Sequence, residues 1–484
     1  MLHQNETSPG LPSAADGTAG RASKELVLPL PVRLGLWAAA FVLALILALQ
    51  WGGGTGVHND FTQNVWLPAR LVLNGDDPYN PTRAAVDAAL GSYAVEFTGF
   101  NSGTNFHAIY PTWVYLLLSP FAAIPLAFSL AIWRSLNLLL LFWAVMRMLR
   151  VSNPAFRSSR PAAIVAVGVT LLLAFIYRES IVTLFAGQFS IIEFGLLAGI
   201  WGYLISSHSD HTRRRLVGDI LMGAALAVLA TKPQAVGLPV LLLGLWALTR
   251  RRWAIPLSAV ASLALLLLAP LLFFPSSLSG WLGVVISGQA SSQAEVSASV
   301  WGLSYQWLPG SIPWVPVAIS LSLVGLLALV PSWRRDLTDR KYPVPLALPL
   351  TICINSIISP YMLGYEHVLL LVPAMIFLAA AGLPDEQKDA RSMRWRVTIY
   401  GWMAVLPFLI VAVQSFVDRE YPVIVQSLTM LALCLLAKCG LRIVADAPSS
   451  RFVLGAQSAV STTGPMNHES RSAQTRGETV DVNA

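Results

Sequence analysis

Five polar or charged residues interrupt the apolar stretches of this sequence or border them: Asp60, Gln188, Lys232, Glu366 and His367. A carboxylate in such a place can act as a general base on an attacking hydroxyl. Lysine, glutamine and histidine side chains can stabilise negative charge on a departing phosphate. Because an ionisable residue inside a bilayer costs roughly 2.5–3.5 kcal/mol on insertion scales, such residues mostly mark a function. These residue types suit group transfer from a phosphate-bearing donor.

Asp60 also has a structural interpretation. The apolar pattern of Thr62–Leu73 predicts a helix that lies along the membrane, and Asp60 could be its N-cap. The stretch Asn74–Tyr79 contains Gly75, two aspartates and a proline, which is typical of a turn with a structural role. Both interpretations of Asp60 stay open at the level of sequence.

The other candidates carry similar alternatives. Lys232 stands in a tight turn whose flanking residues offer no counter-charge, so its amine could extend to lipid headgroups or bind an anionic ligand such as a lipid phosphate. Glu366 could cap a helix, and His367 could be an interfacial side chain. Arg178 and Glu179 form either a local ion pair in an exposed loop or part of a site.

The elements that must position these residues are membrane helices. Of the 484 residues, 55% are hydrophobic and 12% are charged, and the mean hydropathy is +0.62. Soluble proteins carry roughly 25% charged residues. The sequence therefore predicts an all-α, polytopic membrane protein. It contains no phosphate-binding GxxxxGK[ST] motif, which argues against an ATP-driven pump. Its three cysteines all lie in apolar runs and no Cys/His metal spacing is present, so neither a disulfide framework nor a metal site is expected.

About twelve crossings are predicted, and residues 109–133 are predicted to form a broken, interfacial or re-entrant helix pair on the outer side. Prolines interrupt this segment and Arg134 follows it; the alternative is a thirteenth crossing. The predicted spans are residues 34–51, 135–150, 161–178, 187–206, 217–232, 234–249, 254–273, 311–331, 343–360, 367–383, 397–416 and 421–441.

The basic residues predict the orientation. With this topology, 26 of the 32 Lys and Arg residues fall on one side and five on the other, which places both termini in the cytoplasm. A long first loop, about residues 52–108, and all five candidate residues then face outside. The polar segments 1–29 and 445–484 are predicted to be disordered cytoplasmic tails around a transmembrane domain at 30–444.

Several short stretches follow one another in an order shared with a known family. They are Asp60-Phe61, Gly75-Asp76-Asp77-Pro78-Tyr79, Tyr110-Pro111, Ser119-Pro120, Pro125, Gly187-Gln188, Lys232-Pro233-Gln234, Ser359-Pro360 and His367. In these stretches the chain resembles the GT-C-type, polyprenyl-phosphomannose-dependent α-mannosyltransferases. That family often has Ser-Pro-x-Ser-Trp and paired histidines where this chain has Ser359-Pro360-Tyr361-Met362-Leu363 and His367.

The resemblance implies a GT-C-like membrane hexosyltransferase that needs no cofactor. It implies that Asp60 is the general base and that the anomeric carbon is inverted, and it adds Tyr110 to Gln188, Lys232, Glu366 and His367 as candidates for binding the donor phosphate or substrate. The expected partners are a polyprenyl-phosphate-linked sugar, with mannose as the expected sugar, a glycolipid or glycan acceptor, and the lipid bilayer of the cell envelope, but no nucleic acid. A transporter or flippase of lipid-linked saccharides is the alternative.

Overall fold

The computed structural model describes residues 60–91, 108–153, 161–206, 212–286, 297–308, 312–339, 344–380, 390–406 and 424–445, together with a few isolated positions. Most of the predicted first span, residues 34–51, lies outside the described residues. So do the two predicted tails, apart from Ala445.

Every regular element in the described ranges is a helix, which confirms the predicted all-α class. A π-helical turn, Thr62–Trp66, leads into the first α-helix, and 3-10 turns at Ala269–Leu272 and Gly364–Leu370 follow α10 and precede α15. The α-helices are α1 Leu67–Asn74, α2 Arg83–Leu90, α3 Thr112–Ala122, α4 Leu126–Ser152, α5 Pro161–Ile176, α6 Arg178–Ala186, α7 Ser190–Ser206, α8 Thr212–Leu229, α9 Pro233–Thr249, α10 Ala254–Leu268, α11 Ser277–Ile286, α12 Val300–Trp307, α13 Trp314–Thr338, α14 Leu348–Ile358, α15 Leu371–Ala380, α16 Ala390–Ala404 and α17 Ile424–Ala445.

Three of these helices are long and apolar enough to cross a membrane: α4, α10 with its 3-10 extension, and α13. The pair α5 and α6 makes a fourth if its bend of 54° lies within one span. The shorter apolar helices contain 10–17 residues, and a helix of 17 residues is about 26 Å long against a hydrocarbon core of about 30 Å. The figure of twelve crossings therefore stays a prediction.

The segment 109–150 corrects one expectation. The predicted start of the span at residue 135 is wrong, because α4 begins at Leu126 and continues through Arg134. The Arg134 guanidinium donates to the carbonyl of Phe185 at 2.7 Å and lies 5.6 Å from the centroid of its ring. These contacts stabilise the positive charge of Arg134, so α4 continues through this residue without a break. The chain breaks instead after α3, just before Pro125, the residue that precedes α4.

The stretch predicted as a surface helix at Thr62–Leu73 is helical, first as the π-helical turn and then as α1. Its apolar side chains, apart from that of Leu73, are buried in the core that it shares with α3. Trp66 and Arg70 secure this packing, since their side chains donate to the carbonyls of Ile124 and Ala122 at 3.4 and 2.9 Å. The turn predicted after it is present, with Gly75 in the left-handed conformation at φ +86°.

Two hydrophobic cores meet beside the candidate residues. One core contains the buried faces of α1, α3 and the start of α4, together with Phe189. The larger core extends from α4 through α7, α9, α14 and α15, and Ile191 belongs to it. The chain therefore passes from one core to the other between Phe189 and Ile191, and the candidate site lies at this junction.

Candidate active site

A close contact between Phe61 and Gly187 brings Asp60 to Gln188. Phe61 is fully buried, and its ring centroid lies 5.4 Å from that of Trp133. Gly187 ends α6 in the left-handed conformation at φ +71°, and a Cβ added to it would lie 2.5 Å from Phe61 Cβ. Only glycine fits there without displacing Phe61. The Trp133 indole also donates to the Gly187 carbonyl at 2.8 Å.

The Asp60 carboxylate accepts hydrogen bonds from two side-chain amides. Gln188 donates to Oδ2, and Asn64 Nδ2 lies 3.5 Å from Oδ1. The Tyr110 hydroxyl lies 3.3 Å from Gln188 Oε1, to which it donates. Burial raises the pKa of the Asp60 carboxyl, whereas the Gln188 hydrogen bond and the positive charge of Lys232 lower it. Asp60 thus has the features of a base held in place by amides and tuned by a nearby cation.

Lys232 has a counter-charge that its own flanking residues do not supply. Its Nζ lies 2.7 Å from Glu366 Oε1 and 3.4 Å from Ser190 Oγ, and 5.1 Å from the centroid of the Tyr365 ring. The lysine side chain is 4% exposed and the glutamate side chain is fully buried. The sequence leaves a lipid headgroup or an anionic ligand to neutralise Lys232, but a residue 134 positions later in the chain already provides an anion. Extension of its amine to lipid headgroups does not fit this burial.

Glu366 combines a structural and an electrostatic role. Its Oε2 accepts from the backbone amide of Leu363 at 2.9 Å, so it does cap the 3-10 turn Gly364–Leu370. Its other oxygen faces Lys232. One carboxylate therefore fixes the backbone of the turn and the position of the lysine together.

His367 is buried on a different side of this turn. Its Nδ1 lies 3.3 Å from the Leu363 carbonyl, and its backbone carbonyl lies 3.4 Å from the Tyr177 hydroxyl. Arg178 is the charged group that acts on it most directly. The prediction that it is an interfacial side chain does not fit, because it is fully buried.

Tyr177 belongs to a second polar group built around Glu179. Its hydroxyl also donates to Gln426 Oε1, and Gln426 Nε2 donates to Glu179 Oε1 at 2.7 Å. Arg178 completes the group, with an ion pair to Glu179 at 2.8 Å. The predicted local ion pair is present, but Glu179 is fully buried within α6 rather than exposed in a loop.

Sequence reasoning missed two residues of the site, Ser190 and Glu193, which lie on the first turn of α7. Glu193 is 2% exposed, and neither of its carboxylate oxygens has a hydrogen-bond partner among the described residues. The charges of Lys232 and Glu366 act on it. An acidic residue inside an apolar run was the signal that could have found it.

We call these residues the outer cluster: Asp60, Tyr110, Gln188, Ser190, Glu193, Lys232 and Glu366. It offers a candidate base, one cation and several acceptor oxygens in a largely buried setting. Such an arrangement can deprotonate a hydroxyl, bind sugar hydroxyls and attract an anionic group. In the ranges that the structure describes, His, Cys, Asp and Glu side chains form no group of three that could hold a metal ion.

The comparison with protein families decides the class. The model of Glycosyltransferase family 87 matches residues 108–360, which is more than half of the chain. The chain belongs to glycosyltransferase family 87. A search of curated proteins found no match to this sequence. The predicted resemblance to a membrane glycosyltransferase family is thereby confirmed at that level, and membership favours a transferase over the transporter alternative.

The match divides the outer cluster of this family 87 protein. Tyr110, Gln188, Ser190, Glu193 and Lys232 fall within the matched residues. Asp60 precedes them and Glu366 follows them, so the candidate base and the partner of Lys232 both come from outside the matched region. Mannose specificity and a GT-C fold stay predictions.

Proposed function

We propose that this glycosyltransferase moves a sugar, expected to be mannose, from a polyprenyl-phosphate donor to a glycolipid or glycan acceptor, with inversion and with Asp60 as general base. The observation that carries the proposal is the assembly of Asp60, Gln188 and the buried Lys232–Glu366 pair from four distant parts of the chain. Each of these groups has a role in the reaction.

In this reaction Asp60 takes the proton of the acceptor hydroxyl. The acceptor oxygen forms a bond to the anomeric carbon as the bond from that carbon to the phosphate oxygen breaks. Polyprenyl phosphate departs with the electron pair. Asp60 suits the role of base because the side-chain amides of Gln188 and Asn64 orient its carboxylate. Its raised pKa also favours proton uptake more than that of an exposed aspartate.

Lys232 suits the departing phosphate. An ammonium group has three N–H donors; Glu366 faces one and Ser190 Oγ lies near a second, which leaves a third for a phosphate oxygen. Glu366 limits the attraction by its own negative charge, but it also holds the amine in one place. Orientation of a charged donor before the reaction is a large part of electrostatic catalysis.

A lipid-linked donor suits the setting of the site. The outer cluster lies among helices that include membrane-length spans, and a prenyl tail stays in the bilayer while its phosphate reaches the surface. The distribution of Lys and Arg supports cytoplasmic termini and an outward site. Cysteine labelling at Gly75 and at Ser209 should give outer and inner accessibility respectively, and labelling from the same side at both would refute this orientation.

The decisive experiment supplies membranes containing the protein with radiolabelled sugars on polyprenyl phosphate and, in parallel, with the same sugars on nucleotides. We expect labelled glycan from the lipid-linked mannose and none from the nucleotide sugars. Membranes with Asp60→Asn serve as the control for other transferases in the preparation. Transfer from nucleotide sugars alone would refute the proposed donor class.

A further inference from the structure

Glu193 is a buried carboxylate that the reaction proposed above does not use. It is 2% exposed, and both of its oxygens lack a hydrogen-bond partner within the described part of the chain. Burial of a carboxylate without partners is costly, so buried polar groups nearly always have them. Two other buried carboxylates have partners: Glu366 has an ion pair with Lys232 and accepts from a backbone amide, and Glu179 has Gln426 and Arg178. Two carboxylate oxygens without hydrogen-bond donors in a candidate site point to a ligand that supplies those donors.

The position of Glu193 relates it to the donor. Ser190 and Glu193 are three residues apart on α7 and so share one face of that helix. Ser190 Oγ lies 3.4 Å from Lys232 Nζ, and the charge of Lys232 also acts on Glu193. Gln188, just before α7, holds Asp60. The short segment from Gln188 to Glu193 therefore presents, in order, a contact to the candidate base, a contact to the candidate phosphate anchor and the open carboxylate.

The charge of Glu193 decides which part of the donor it takes. A phosphate would be repelled by a carboxylate, and Glu366 and Asp60 already place negative charge in the same cluster. Sugar hydroxyls are neutral and donate hydrogen bonds. Two carboxylate oxygens can accept from two hydroxyls on adjacent ring carbons. A sugar joined to a phosphate would thus bind with its phosphate toward Lys232 and its ring toward Glu193.

We infer that Glu193 binds hydroxyl groups of the donor's hexose ring and so determines which sugars are transferred. The inference rests on the proposed function, because it assumes a sugar-phosphate donor at the outer cluster. Glu193 is a binding residue in this scheme, whereas Asp60 acts on the acceptor.

The test is a cycle of enzyme variants and donor analogues. Native enzyme, Glu193→Gln and Asp60→Asn are each given short-chain polyprenyl-phosphate mannose and its single-deoxy analogues, and kcat/KM is measured for every combination. We expect Glu193→Gln to lose about 10- to 100-fold with the full sugar, as for a lost hydrogen bond to a charged group. The native enzyme should lose a similar factor with the deoxy donor that lacks the contacted hydroxyl, and the two changes combined should cost little more than either one.

Asp60→Asn is the matched control, because it removes a carboxylate from the same cluster. It should lower kcat/KM by one common factor for all donors. If the loss caused by Glu193→Gln also multiplied with the loss caused by the deoxy donor at every ring position, the inference would be overturned. The proposed function would still stand. No transfer by the native enzyme from any lipid-phosphate sugar would refute the proposed function, and the inference with it.

Glu193→Asp supplies a second variant if Glu193→Gln does not fold. Aspartate keeps the carboxylate charge, but its side chain is shorter by one methylene. The loss of kcat/KM in this variant should therefore again disappear with the deoxy donor identified for the native enzyme. An equal loss with every donor would mean that Glu193 acts on the fold and not on the sugar.

Discussion

Two buried ion pairs of this protein differ in how many of their polar atoms, and of those around them, have hydrogen-bond partners. Arg252 and Asp219 join α8 to the start of α10: Arg252 Nε lies 3.1 Å from Asp219 Oδ1, and Arg252 also donates to the Tyr203 hydroxyl at 2.8 Å. Its guanidinium lies 5.2 and 5.6 Å from the ring centroids of Tyr203 and Trp246. No side-chain atom of Asp219, Arg252 or Tyr203 is buried without a partner. By contrast, Glu366 Oε1 has its ion pair with Lys232 but no hydrogen bond among the described residues, and the charges of both residues act on the open carboxylate of Glu193.

This difference distinguishes an ion pair with a structural role from a ligand-binding site. A fully satisfied ion pair has no capacity left for a ligand, so its replacement should affect stability first. A cluster with more hydrogen-bond acceptors than donors leaves some acceptors unpaired when no ligand is bound. The hydroxyl groups of a ligand supply the missing donors. Departures from local satisfaction are expected at functional sites. Four predictions test this contrast.

The largest effect is expected from removing the candidate base. Asp60→Asn should lower kcat by about 10²- to 10⁴-fold, because general-base catalysis contributes about that factor, and the protein should stay folded. Asp219→Asn is the matched change in the satisfied pair. It should cost about 3–5 kcal/mol of stability, since it leaves Arg252 without its counter-ion, while the turnover of the molecules that fold stays near normal. Radiolabel transfer and detergent thermal unfolding measure the two properties, and a stable, active Asp60→Asn would return Asp60 to a structural role.

The next effect concerns Lys232. Lys232→Gln should weaken donor use by about 1.5–3 kcal/mol, the value of a hydrogen bond to a charged group, and should destabilise the protein because Glu366 is then buried without its cation. The double variant Lys232→Gln with Glu366→Gln should recover the stability and not the donor affinity. Titration with a short-chain polyprenyl-phosphate sugar measures the affinity. If the double variant binds donor as native enzyme does, Lys232 is no phosphate anchor.

Gly187 tests whether the backbone contact with Phe61 positions Asp60. Gly187→Ala places a Cβ in the left-handed region and against Phe61, so Phe61 and the adjacent Asp60 must shift. A left-handed residue other than glycine costs about 1–2 kcal/mol, and the displacement of Asp60 should lower kcat/KM by roughly tenfold or more. Gly75→Ala has the same backbone strain with open space around the added carbon. It should cost similar stability and no comparable activity, and equal activity losses in the two variants would dismiss the Phe61 contact.

The smallest effect is a shift in pH dependence. Burial raises the pKa of Asp60, and a base works only when deprotonated, so kcat/KM should fall as the pH drops through a value above the usual aspartate pKa of about 3.9. Gln188→Leu removes a hydrogen bond that lowers this pKa, so the acid limb should move to higher pH. A pH-rate profile of the two proteins shows the shift. Movement to lower pH would contradict the assignment of the limb to Asp60.

Much of the outer cluster could be predicted from the sequence because its members are polar in apolar surroundings. Asp60, Gln188, Lys232 and Glu366 were expected on one face, and the structure brings them together. Their pairing could not be predicted, since the turn around Lys232 shows no acid and its partner lies 134 residues away.

The fold was predictable to a similar degree. Composition was enough for the all-α class, but helix ends depended on contacts between distant residues. A charged Arg134 favours a span that begins after it, and only the fold shows that its side chain contacts the Phe185 carbonyl and ring. The same holds for Thr62–Leu73, where the sequence shows an apolar face and only the fold shows that α3 covers it.

The hydrogen bonds of Gln426 have a consequence for the order of synthesis. Gln426 lies on α17, and it joins Tyr177 and Glu179, while Tyr177 in turn supports the backbone at His367. A nascent chain has to grow past this residue and pack α17 before Glu179 gains its amide donor. Until then the turn that bears Glu366 lacks this contact through Tyr177 and His367. The ribosome thus supplies this support only after every residue of the outer cluster has been made.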